Sequence, residues 1–229
     1  MAFFAIGMAY VESAVVIYIR EIYYPEGFDF PLRVIDTHIA ITELGRELAT
    51  IVMLISIGLL AGKNRIERFS IFLFAFAIWD IFYYVFLKIL IDWPNSLMTM
   101  DILFFIPLTW IGPVLAPLLN SLVMIILAVA LLKFSQFKTK AGLNMLEWIL
   151  LMTGVAIMSY VYMEDYTHFM LQYLPVKDLI LTTDSGKILE YASKYIPVGF
   201  NWPLFIIGTG FHLLAIIHYI LRLKKLTIN

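Results

Sequence analysis

The 229-residue chain has no cysteine, only four histidines and no excess of positive charge, with 16 Lys plus Arg against 17 Asp plus Glu. The missing cysteine excludes disulfides, thiolate metal ligands and a thiol nucleophile. A bis-histidine haem needs two histidines at one depth, and only His212 falls deep inside an apolar stretch, so no haem is expected. His38 and His218 belong near helix ends, and Asp165-x-x-His168 reads as a polar pair at the outer end of a span. A formal charge of −1 lacks the basic footprint of a nucleic-acid-binding protein. Gly-x-Ser-x-Gly, His-Glu-x-x-His and phosphate-binding glycine loops are also absent, so no enzyme class is indicated. Charge of either sign is scarce, at 14% where a soluble domain carries about a quarter.

What fills the chain is apolar: 62% of residues are hydrophobic and the mean hydropathy is +0.90. With about 20 apolar residues as the length of a membrane-spanning helix, spans fall near 2–20, 39–61, 69–91, 113–133, 144–163 and 203–221. The N-terminus lacks the basic region of a cleaved signal, so the first span reads as a retained helix. Pro113 and Pro203 suit the first turns of the fourth and sixth helices, where a missing amide hydrogen costs nothing. No charge appears between Ile102 and Leu132, which is long for one helix. Pro107, Pro113 and Pro117 break its start, so 99–112 reads as an interfacial or re-entrant segment before helix four. The expected fold is an all-α integral membrane protein: one domain over 1–229, a six-transmembrane-helix bundle without internal repeats.

Basic residues set the expected orientation. Lys63, Arg65 and Arg68 follow the second span, Lys133, Lys138 and Lys140 the fourth, and Arg222, Lys224 and Lys225 the sixth. Six crossings put these clusters on one side, cytoplasmic by the positive-inside rule, with both termini there. Acids including Asp92, Asp101, Asp165 and Asp184 gather opposite, although Arg20 and Arg33 break the pattern. The expected location is the inner (plasma) membrane. Trp93, Trp110 and Trp202 fall at outer helix ends and Trp148 near an inner one, suiting the headgroup level. The outer loop 163–202 carries a stretch, Lys187 to Tyr195, patterned as a short amphipathic surface helix.

Within this apolar frame Glu12, Glu43, Arg46, Glu47 and Asp80 stand out. A charge in the bilayer interior costs roughly 2.5–3.5 kcal/mol even on insertion scales. Four acids against one base leave three negative charges that protons, a bound cation or a partner protein must offset. At 1.5 Å per helical residue Glu12 lies roughly 12 Å below the outer surface, with Asp80, Asn120 and His212 at roughly 10–15 Å. The inner halves of the helices look almost purely apolar. In Glu43-Leu44-Gly45-Arg46-Glu47 the two acids share a face and Arg46 reaches Glu43. Gly45 suits a close helix approach, and Arg46, the one cation at that depth, is expected to meet Glu12 across the helices. The ion- or proton-binding candidates are Glu12, Glu43, Arg46, Glu47, Asp80 and His212. Of these, Glu12, Glu47, Asp80 and His212 are the weak candidates for a metal, without the Glu-x-x-His signature of di-iron bundles. A hard cation or protonation suits oxygen ligands better.

The run Trp79-Asp80-Ile81-Phe82-Tyr83-Tyr84, with Trp93-Pro94-Asn95-Ser96-Leu97 and Asp101-Ile102-Leu103-Phe104-Phe105-Ile106-Pro107, resembles uncharacterised prokaryotic multi-pass membrane proteins. The resemblance covers about residues 40–120 and implies an integral membrane protein with no activity attached. The leading functional expectation is proton or cation binding or transport. Its alternatives are an accessory subunit of a larger membrane complex, such as an electron-transfer assembly, and a membrane enzyme acting on a lipid or quinone. Expected partners are the lipid bilayer and partner membrane subunits, with no nucleic acid.

Overall fold

The computed structural model describes residues 1–135, 142–181 and 185–228, so Lys138, Lys140 and Asp184 lie outside the described residues. In chain order the elements are α1 (Ala2–Tyr23), α2 (Thr37–Ala61), α3 (Arg65–Ile91), β1 (Met100–Phe104), β2 (Trp110–Pro113), α4 (Leu115–Ser135), α5 (Met145–Met170), α6 (Val176–Leu181), α7 (Ser185–Ala192) and α8 (Trp202–Ile228). Among the described residues six helices, α1 to α5 and α8, are long and apolar enough to cross a membrane. The protein is a multi-pass membrane protein.

Short polar side chains start the helices where the sequence supplies them. Asp36 accepts the amide of His38, and Asn64 accepts those of Ile66 and Glu67. Asn144 and Glu147 form a reciprocal capping box on α5. Each satisfies amides that the first helical turn leaves without partners. The start of α4 uses the preceding loop instead: Leu115 N–H donates to the Leu97 carbonyl at 2.8 Å. Pro113, expected in the first turn of this helix, closes β2; Pro117 takes the first-turn position. α5 runs on to Met170, seven residues past the expected 163, which shortens the outer loop. α7 covers most of the expected amphipathic stretch.

α1 and α2 pack on α3, α3 on α4, and α5 on α8, while α4 joins the two groups through α8. Ala5, Ala9 and Ala75 are fully buried where α1 meets α3, because small side chains let the backbones approach. The same device joins α5 to α8: a Cβ on Gly154 would lie 2.9 Å from the Gly208 carbonyl oxygen. Gly58 and Gly62 close the α2–α3 turn, where a Cβ on Gly62 would sit 2.5 Å from the Arg68 amide nitrogen. Gly45, expected at a close approach, instead has nothing within 4 Å of where its Cβ would be. A core of Leu73, Leu127, Leu131, Phe134, Leu151 and Tyr219 fills one end of the bundle. Both chain ends lie there, with the α2–α3 turn.

Residues 99–112 form something the hydrophobic pattern does not specify. β1 and β2 pair antiparallel, with Asp101 opposite Gly112 and Phe104 opposite Trp110, and an irregularity between Ile102 and Phe104. This hairpin sits among the helices: Phe104 lies 6.4 Å from Phe76 and 6.3 Å from Trp79, both in the middle of α3. Trp110 stacks on Tyr162 of α5 at 5.5 Å. Pairing its own strands lets irregular backbone enter an apolar bundle with few amides left over.

Candidate functional site

One cavity of about 1020 Å³ runs through the bundle, bordered by α1 to α5, α8 and the hairpin. Glu12, Glu43, Arg46, Glu47, Asp80 and His212 all line it. They do so in separate small networks. Arg46 bonds Glu43 within α2 at 2.7 Å and forms an ion pair with Glu12 across to α1. Thr50 Oγ1 donates to the other oxygen of Glu12 at 3.1 Å. The expected pairing of α1 and α2 through Glu12 and Arg46 is present.

Glu47 faces the hairpin, where both its oxygens accept the Phe105 amide N–H at 3.0 and 3.1 Å. Asp80 Oδ2 accepts the Ser121 hydroxyl of α4 at 2.8 Å. Beside it Asn120 donates to the Tyr162 hydroxyl oxygen at 2.9 Å, leaving its own buried carbonyl oxygen without a partner. His212 Nε2 donates to the Leu151 carbonyl at 3.2 Å, which spends the ring's proton on helix packing. Among the described residues no three His, Asp or Glu side chains come together as a metal-ligating group. The weak metal set of Glu12, Glu47, Asp80 and His212 therefore shares a cavity without forming a ligand cage.

Arg46 is not the one buried cation, as the sequence suggested. Arg20 is buried too, with its guanidinium 3.8 Å from the Trp93 ring centre and 4.5 Å from that of Phe28. It pairs with Asp101 of β1 at 3.0 Å, and Tyr84 donates to the other oxygen of Asp101 at 3.2 Å. Burial raises the Asp101 carboxyl above its ordinary value, while the Arg20 charge, the Ile102 amide and Tyr84 pull it down. Trp93 and Trp110 pack on Arg20 and Tyr162. The signal was present: Arg20 broke the charge pattern, and Asp101 opened the uncharged run.

The cavity thus encloses five carboxylates, Glu12, Glu43, Glu47, Asp80 and Asp101, and two guanidiniums, with Arg33 at its exposed rim. The surplus of three acids survives the addition of Arg20 and Asp101. Glu47 and Asp80 receive only neutral donors.

A second network corrects the expectation that the helix halves on the side of the basic clusters are almost purely apolar. Glu147 is 0% exposed, accepting Arg222 Nε at 2.8 Å and Nη2 at 2.7 Å, with His218 Nδ1 2.9 Å away. Arg222 also donates to the Gly142 carbonyl at 2.7 Å. None of these residues borders the cavity. Asp165 does not pair with His168 but accepts the Tyr195 hydroxyl at 2.6 Å and the Val198 amide at 3.1 Å, anchoring the outer loop.

The cavity walls change character along its length. One end is bounded by Phe69, Phe72, Leu127, Trp148, Leu151 and Met152, with His212, bonded to the Leu151 carbonyl, as the ionisable group there. At the other end Ile188, Leu189 and Ala192 of α7 border it. Ile41 on α2 and Met152 and Val155 on α5 border the cavity and are 61%, 57% and 46% exposed. No family model, curated protein or solved structure matches this chain.

Proposed function

We propose that this protein takes a membrane-soluble amphiphile into the cavity through the edge between α2 and α5, and that Glu47 and Asp80 serve its polar head by exchanging a proton or a cation. The observation that carries this reading is the polarity gradient. An apolar chain finds a bilayer-like inner end at Phe69, Trp148 and Met152, while a head group finds acids, Asn120 and Tyr162 further out. About 1020 Å³ is at the upper end of ordinary ligand sites. The wall at Phe69, Phe72, Leu127, Trp148 and Met152 is apolar, with His212 committed to the Leu151 carbonyl, and this favours an amphiphile over a simple ion.

The basic residues Lys63, Arg65, Arg68, Lys133 and Arg222 cluster at the end holding both termini, which favours a cytoplasmic face there. In that orientation the hairpin is re-entrant from the outside of an inner (plasma) membrane and the acids lie in the outer leaflet.

Photolabelling tests the reading. A decyl-chain diazirine added to protein in lipid nanodiscs is expected to concentrate on Ile41, Trp148, Met152 and neighbouring cavity residues. Val155→Trp, which narrows the proposed entry, should reduce that labelling. Even labelling over the whole apolar exterior, unchanged in the variant, overturns the proposal.

A further inference from the structure

We infer that the head group this cavity accepts is a protonated amine, so that the ligand is a lipophilic ammonium compound. This rests on the reading of the cavity as an amphiphile site and names the chemistry of its ligand.

Charge supplies the first argument. Both enclosed guanidiniums are engaged, Arg46 with Glu12 and Glu43 and Arg20 with Asp101. Glu47 and Asp80 have neutral donors only. Ionised carboxylates in an apolar surround are costly without a countercharge. An anionic head such as a phosphate would deepen the deficit, and a neutral head would leave it unchanged. A cationic head reduces it.

Hydrogen bonding narrows the kind of cation. Asp80 Oδ1 has no partner among the described residues, since Ser121 occupies Oδ2. The Asn120 carbonyl oxygen, on the residue next to Ser121, is buried and unpartnered. Both are acceptors on residues of the cavity lining; Arg20 Nη1, Trp79 Nε1 and Trp110 Nε1 on the same lining are donors without a partner, so the charge surplus, not the hydrogen-bond count, selects a cation that brings N–H groups. A bare metal ion finds no matching group of three His, Asp or Glu ligands among the described residues. An ammonium group needs only two or three acceptors.

The walls agree. Trp79, Tyr83, Phe104, Trp110 and Tyr162 border the cavity around these acceptors. Aromatic rings attract an organic cation without the hydration that a small inorganic ion would have to lose. The hydrocarbon part of the molecule then lies along Phe72, Leu127 and Leu151.

Three probes with one chain length separate the possibilities: decylamine, decanol and decanoate, titrated calorimetrically into protein nanodiscs at pH 7 with empty nanodiscs subtracted. Decylamine is expected to bind at least about tenfold more tightly than decanol, with decanoate weakest. Asp80→Asn should bring decylamine to within about twofold of decanol. Equal binding of decylamine and decanol, or tighter binding of decanoate, overturns the ammonium assignment and leaves the amphiphile site standing. Binding of none of the three overturns the amphiphile reading itself. The wild-type comparison decides the charge preference without a variant. If Asp80→Asn does not fold, Glu47→Gln is the substitution that should shrink the ratio, and an unchanged ratio there counts against the inference.

Discussion

The carboxylate of Glu47 on α2 holds the backbone amide of Phe105 at the tip of the hairpin, each oxygen about 3 Å from the nitrogen. The contact joins positions 58 residues apart. Glu47→Leu leaves that amide without an acceptor, which costs about 1–3 kcal/mol. Glu47→Gln keeps a carbonyl oxygen and should lose less. Hydrogen exchange over 104–109 is the direct readout, expected to quicken in Glu47→Leu well beyond the glutamine variant.

Arg46 compensates two acids from two helices, so its loss strands both. Arg46→Leu is expected to destabilise by about 3–5 kcal/mol, the usual cost of breaking a buried pair. Glu12→Gln should be milder, since Glu43 still partners Arg46 and Thr50 can still donate to the amide oxygen. Reversible unfolding in mixed micelles ranks the two, and equal losses would show that Arg46 is not the hub.

Two glycines in apolar helices should respond oppositely to alanine. Gly45 faces open space, and alanine there gains up to about 1 kcal/mol of helix propensity. At Gly154 a Cβ would collide with the His212 ring and the Gly208 carbonyl, forcing α5 and α8 apart at a cost of about 1–3 kcal/mol. Thermal unfolding of the two variants checks the difference in sign.

Asp92 ends α3 in the left-handed region at φ 52°, with Lys88 Nζ 2.6 Å from its carboxylate. The Lys88 hydrogen bond and charge hold this carboxyl below its ordinary 3.8. Its contribution to stability is therefore present above the unfolded value and is lost as pH falls through the lower folded one. Carboxyl NMR titration should find its midpoint below 3.8 in the folded protein, and Lys88→Met should return it to the ordinary value.

Single cysteines test orientation cleanly because the chain has none of its own. Asn64→Cys, in the α2–α3 turn, should resist an impermeant reagent added outside cells, whereas Asn95→Cys should react. The reverse pattern overturns both the orientation and the outer-leaflet position of the acids.

The six helices were legible because apolar length is a local property, and the Glu43–Arg46 bond because three residues separate a pair on one helix face. The Glu12–Arg46 pair was legible for a different reason: a lone deep cation has few candidates. Arg20 was read as an outer-loop charge because nothing local announces that Phe28 and Trp93 fold over it. The hairpin escaped because its strand pattern is interrupted near Phe104 and its partners are distant aromatics. Glu147 was missed although Asn144-x-x-Glu147 is a readable capping box, since its partners His218 and Arg222 lie more than 70 residues away. Gly45 shows the converse error, a small residue credited with a contact its helix does not make.

The clamp of Arg222 and His218 on Glu147 shares no residue with the cavity. Perturbations at the two places should therefore be thermodynamically independent, as separated sites without common partners are. Arg222→Met combined with Asp80→Asn should lower stability by the sum of the single losses. A change at either place then leaves the other network's contribution to stability as it was.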